Sequence, residues 1–229
     1  MDLASLKNEI VNMLQDNIEA PDESDYQVIK DDEKAGKLYE AYVLASVCSS
    51  LKSQEDLRLV LSVGEKVYLK RGTGPINRAY PCIEAYRDDD LVAEIWTDVC
   101  FISQSYLNTS EDHRSTKPRY GDYHELDILM VDPNLDSYPL PKQIWLGVEC
   151  KNTGMRKGIL KEILGVRREM SFINKSRINT KFKKWPQTEA RSNPPCCLLL
   201  YSSDEAVEKY ESSGNFYDIK FIHQEMKEI

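Results

Sequence analysis

The sequence predicts an α/β fold: a central mixed β-sheet flanked by helices and led by an N-terminal helical segment. Three observations carry that expectation. Apolar residues recur at helical spacing near the N-terminus, strongly apolar strand-like runs lie at 123–133 and 143–153, and an amphipathic stretch at 156–174 separates those runs from later strands. A helix between two strands is the usual parallel crossover, so the sheet is expected to be mixed.

Taken in order, Leu3, Leu6, Ile10, Met13, Leu14 and Ile18 share one helical stripe and predict a helix over 3–18. The acidic stretch 19–33, with Pro21, reads as a loop, and a second helix is expected over 34–52. Residues 54–70 (QEDLRLVLSVGEKVYLK) are expected to be helical too, ending at the RGTGP turn of 71–75. The character then changes. Runs 81–87 and 91–103 flank Asp88-Asp89-Asp90 and predict a hairpin, after which 104–123 is polar and reads as a loop. Following the two apolar strands, the helix over 156–174 buries Ile159, Leu160, Ile163, Val166, Met170 and Ile173. A basic loop over 175–195 leads to strands at 196–202 and 216–222. All of this fits one domain over 1–229, mainly helical in 1–75 and sheet-bearing in 80–222.

At 229 residues, 41% hydrophobic and 30% charged, the chain is long enough to bury one substantial core. No apolar run approaches the roughly 18–20 residues that span a bilayer, and the N-terminus lacks a basic region followed by an apolar one. A cytoplasmic protein without membrane attachment is expected. The six cysteines contain no C-x-x-C pair and are expected to be buried thiols. Net charge is −8, but it is unevenly spread: Lys151 to Arg191 holds twelve Lys/Arg against three acids, while the remainder holds 18 against 35. A positive segment on an acidic chain suits a polyanion.

The chemistry-bearing feature is the end of the run Ile144–Lys151, where Glu149 and Lys151 fall two apart and share one side of a strand. In the preceding run Asp127 is expected to share a face with Glu125, Leu129 and Val131, and Trp145 and Gly147 to share a face with Glu149 and Lys151. Adjacent strands would bring Asp127 beside this pair, and two carboxylates offer hard oxygen ligands for Mg²⁺ or Mn²⁺. On the helix over 34–52, Glu40 lies on one face with Gly36, Val43, Leu44, Val47 and Leu51, which is costly for a carboxylate without a partner.

These residues resemble the PD-(D/E)XK nuclease superfamily, the restriction-endonuclease-like proteins: Asp127 in ELDIL, Glu149-Cys150-Lys151 in VECK, and Glu40 in KLYEAYVL. Leu126 stands where the family name has proline. The resemblance implies a restriction-endonuclease-like core and a metal-dependent endonuclease that cuts phosphodiester bonds in DNA, in bacterial defence or restriction. It makes Asp127, Glu149 and Glu40 the metal ligands and Lys151 the residue orienting the attacking water. Arg156, Lys157, Lys161, Arg167, Arg168, Lys181, Lys183 and Lys184 are then expected to contact nucleic acid, with oligomerisation or a partner protein completing the groove. The alternatives are an inactive binding or assembly module of the same fold, or a nuclease acting on RNA. The tripeptide alone decides little, because (D/E)-x-K also occurs at 32–34, 218–220 and 225–227.

Overall fold

The computed structural model describes residues 3–20, 35–63, 67, 69, 73–109, 119, 121–179, 181–183 and 189–226. Helix α1 (Leu3–Asn17) and helix α2 (Ala35–Glu55) open the chain, followed by strands β1 (Arg58–Leu61), β2 (Ile83–Arg87) and β3 (Asp90–Ile102). A short helix α3 (Gln104–Thr109) precedes β4 (Tyr123–Val131) and β5 (Ile144–Lys151). Helix α4 (Lys157–Met170) leads into β6 (Phe172–Asn179) and β7 (Glu189–Asn193), and the chain continues through β8 (Cys197–Ser202), α5 (Glu211–Phe216) and β9 (Ile219–His223).

Among the described residues, seven strands form one sheet in the order β1-β2-β3-β4-β5-β8-β9, and β6 pairs with β7 apart from it. The first five run antiparallel as a meander; β5, β8 and β9 are parallel. The switch has a simple cause. Short connections return the chain antiparallel, whereas α4 carries it back across the sheet so that β8 enters in the direction of β5. Helices α1 and α2 cover one face, packing Leu38, Val43, Leu44 and Val47 against Ile128, Met130, Val148 and Leu199. Helix α4 covers the other with Ile159, Ile163, Val166 and Met170 against Leu126, Leu129, Leu198 and Leu200. Strands β5 and β8 are therefore buried on both faces, which explains why they read as continuous apolar runs. Gly147 lets α4 approach: a Cβ there would lie 2.7 Å from Leu126 Cδ1 and 3.0 Å from Met170 Cε. All six cysteines are buried thiols, and among the described residues no helix is long and apolar enough to cross a membrane.

Several boundaries differ from the sequence expectation. The described part of 54–70 does not form the expected helix: α2 runs on to Glu55, Asp56 takes a left-handed φ of 56°, and β1 follows at the sheet edge with Leu59 and Leu61 buried. Leu57, Leu59 and Leu61 alternate as well as they fit a helix, and pairing with β2 decides between the two. Glu19 bridges to this edge through Leu61 N–H to Glu19 O at 2.8 Å. Helix α4 stops at Met170 because Ser171 is extended, and the expected basic loop is instead mostly the β6–β7 hairpin. Part of the polar 104–123 loop forms α3. The last strand begins at Ile219, after Asp218 turns with a φ of 55°, so Asp218 and Lys220 do not share one strand. The hairpin at Asp88-Asp89 forms as expected, with Arg87 opposite Asp90.

Candidate metal centre

The site grows from an irregularity shared by β3 and β4. On the α4 side of the sheet the buried residues are Trp96, Val99 and Phe101 from β3 and Leu126, Leu129 and Val131 from β4. In each strand one step on that face spans three residues instead of two, so the alternation shifts between 96 and 99 and between 126 and 129. Asp98 takes a left-handed φ of 50°, a conformation uncommon outside glycine. Its neighbours pair as Thr97 with Ile128 and Val99 with Leu126, which sets Asp98 across from Asp127. Both carboxylates turn toward α2. This corrects the expected face: Asp127 does not lie with Leu129 and Val131. Trp145 likewise leaves the face of Gly147, packing with the α1 and α2 cluster because the β4–β5 register shifts at its start.

Helix α2 brings Glu40 to the same place. Carboxylate oxygens of Glu40, Asp98 and Asp127 all lie within 4.8 Å of one another. Lys37, one turn before Glu40, donates to Glu40 Oε2 at 2.5 Å and to Asp98 Oδ1 at 2.6 Å. Asp127 sits where β4 and β5 part: their pairing begins at Ile128 and Val148, and Asp127 Oδ2 accepts the Cys150 N–H at 2.6 Å. A second charged group meets it from the α4 side. There Lys151 Nζ lies 3.0 Å from Glu149 Oε2 and 3.3 Å from Glu162 Oε1 on α4. Glu149 and Lys151 share a face as the alternation predicts; Glu149 is ion-paired and is not one of the three carboxylates that converge within 4.8 Å, although the charge of Asp127 acts on it.

Burial and crowding of like charges set the proton affinities. Burial, then the charge of Asp127, pushes Glu40 up to about 7 against the pull of Lys37. The same two causes push Glu149 up to about 8 against Lys151. Burial also raises Asp127 and the neighbouring Glu125. Carboxylates held this high are short of positive charge, and hard oxygen donors converging from three elements fit Mg²⁺ or Mn²⁺.

Sequence reasoning passed over Asp98, Lys37 and Glu125. The available signal at Asp98 was a second acid, after Glu94, within the largely apolar run 91–103, a placement that needs a partner when buried.

The basic residues divide. Lys157, Lys161 and Arg168 are exposed along one face of α4, with Arg156 exposed at its start, close in sequence to Lys151. Arg167 is fully buried: it donates to Tyr217 O at 3.0 Å, Cys196 O at 3.2 Å and Ser192 Oγ at 2.7 Å. Its expected phosphate contact is replaced by a structural one, because the helical period turns it inward beside Ile163, Val166 and Met170. Arg167→Ala is expected to destabilise the protein by about 3–5 kcal/mol in urea unfolding, leaving three acceptors unsatisfied; wild-type stability would contradict this. Lys181 pairs with Asp132 and lies 5.1 Å from the Trp145 ring centre, and the Lys183 N–H donates to Glu55. These two stand near the opposite end of β5, roughly 20 Å from Lys151 at about 3.3 Å per residue. Lys184 lies outside the described residues.

No protein-family model matches the chain, and neither does any curated protein or solved structure.

Proposed function

We propose that the protein is a divalent-metal-dependent phosphodiesterase of the restriction-endonuclease-like class, cutting DNA. The observation that carries this reading is the approach of Glu40, Asp98 and Asp127 to within 4.8 Å beside the Glu149–Lys151 pair. Glu40, Asp98 and Asp127 would hold Mg²⁺ or Mn²⁺. When bound, such an ion neutralises phosphate charge and acidifies water. Lys151, whose side chain is 24% exposed, is able to reach phosphate while Glu149 and Glu162 fix its ammonium. Its charge would offset the charge that builds on phosphoryl oxygens as the ester breaks. Glu149, 3.0 Å from the Lys151 ammonium, would hold that charge in place beside the acidic group. Lys157, Lys161, Arg156 and Arg168 supply a cationic face for backbone phosphates. The surrounding acidity favours a groove completed by a second copy or a partner protein.

The test is direct. Purified protein incubated with plasmid, linear duplex and RNA is expected to cleave DNA with Mg²⁺ or Mn²⁺ and not with EDTA. Lys151→Ala is expected to slow cleavage at least about 100-fold, and Lys220→Ala to leave it unchanged. Wild-type protein inert under every metal would remove the enzymatic reading in favour of a binding module, and cleavage confined to RNA would change the substrate.

A further inference from the structure

Lys37 stands in the first turn of α2, where the helix dipole disfavours a cation and no acid shares the turn. Its i,i+3 pair with Glu40 offsets that within the helix, but the bond to Asp98 on β3 serves no helical purpose. Its ammonium instead spans two of the three carboxylates, Glu40 and Asp98, and its charge also acts on Asp127 and Glu125. The oxygens it occupies belong to the same carboxylates that converge for a divalent ion. Two cations sharing those oxygens in a half-buried setting would repel strongly, so the site accommodates one or the other. The Lys37 side chain is 25% exposed, which leaves its flexible stem a route outward to water.

We propose that Lys37 is the resident counter-ion of this acidic group and is displaced outward when a divalent cation binds, so that it sets the cation concentration at which the site fills; the proposal rests on the metal reading above. Competition of this kind favours divalent over monovalent ions, because an incoming single charge would only replace the one already present. Once displaced, the tethered ammonium remains at the rim of the site, within reach of a phosphate.

Mn²⁺ binding to the full chain, followed by the electron-paramagnetic signal of the free ion, tests this. Lys37→Met is expected to bind Mn²⁺ at least about tenfold more tightly than wild type, and Lys37→Arg no more tightly than wild type. A second measurement needs no variant to fold. In wild-type protein carrying ¹³C-labelled lysine, titration with Mg²⁺ is expected to move the Lys37 Cε resonance toward that of a mobile, solvated lysine. Equal or weaker Mn²⁺ binding by Lys37→Met, or a Lys37 resonance unmoved at saturating Mg²⁺, overturns the displacement while leaving the metal site standing. Absence of Mn²⁺ binding in wild type and variant alike overturns both.

Discussion

Asp127→Asn is expected to abolish metal-dependent cleavage, by at least about a thousandfold, while leaving the metal-free protein as stable as wild type or more so. The two halves have one cause. Asparagine keeps the oxygen that accepts the Cys150 N–H, so the join between β4 and β5 survives. What disappears is the buried negative charge that raises both Glu40 and Glu149. At pH 8 the metal-free variant is freed of that repulsion, although Lys37 and Lys151 lose part of their attraction. The same change takes away one of three converging ligands, so Mg²⁺ should no longer raise the melting temperature. Thermal melts with and without Mg²⁺, set beside the cleavage rate, read both halves. A variant that melts well below wild type without metal would mean that Asp127 holds the fold through its charge.

The second large effect is on stability against pH. Glu40 at about 7 and Glu149 at about 8 both lie above their ordinary value of 4.5. Between those limits the folded protein binds more protons than the unfolded chain, so metal-free stability is greatest at the acid end and falls as pH rises from about 5 to 8. Asp127 and Glu125 are shifted in the same direction and add to the fall. Lys37 and Lys151 are raised by their carboxylate partners, against the opposing effect of burial, and begin to act only above this window. The loss should be on the order of a few kcal/mol, or roughly 5–10 °C in melting temperature for a chain of this size. Mg²⁺ is expected to restore most of it at pH 8 and little at pH 5.5, and EDTA to reverse the gain. Metal-free melting temperatures that climb from pH 6 to 8 would show that the carboxylates are not in conflict.

Much of this was legible because buried charge is conspicuous in an apolar run. Glu149, Lys151 and Asp127 interrupt strands, and Glu40 interrupts a helical stripe, so each stands out on physical grounds alone. Asp98 and the true face of Asp127 were hidden for the opposite reason. Face assignment by alternation assumes an unbroken pleat; in β3 the left-handed Asp98 resets it with no glycine to mark the spot, and the matching step between Leu126 and Leu129 in β4 leaves no mark in the sequence either. Lys37 looks like any solvated lysine until β3 delivers Asp98 to it from 61 residues away. Arg167 was misjudged because a long basic helix invites reading every arginine as exposed, whereas its position falls on the apolar side. The hairpin β6–β7 is polar and gave no periodic signal, and β1 is too short for periodicity to separate strand from helix.

The left-handed backbone at Asp98 bears on protein engineering. By conformational preference alone, glycine suits that position better than aspartate. Glycine there would relax the chain and relieve the crowding of like charges, against the loss of the Lys37 ion pair. A redesign scored only on backbone preference would therefore tend to erase position 98 early, and with it one corner of the candidate centre.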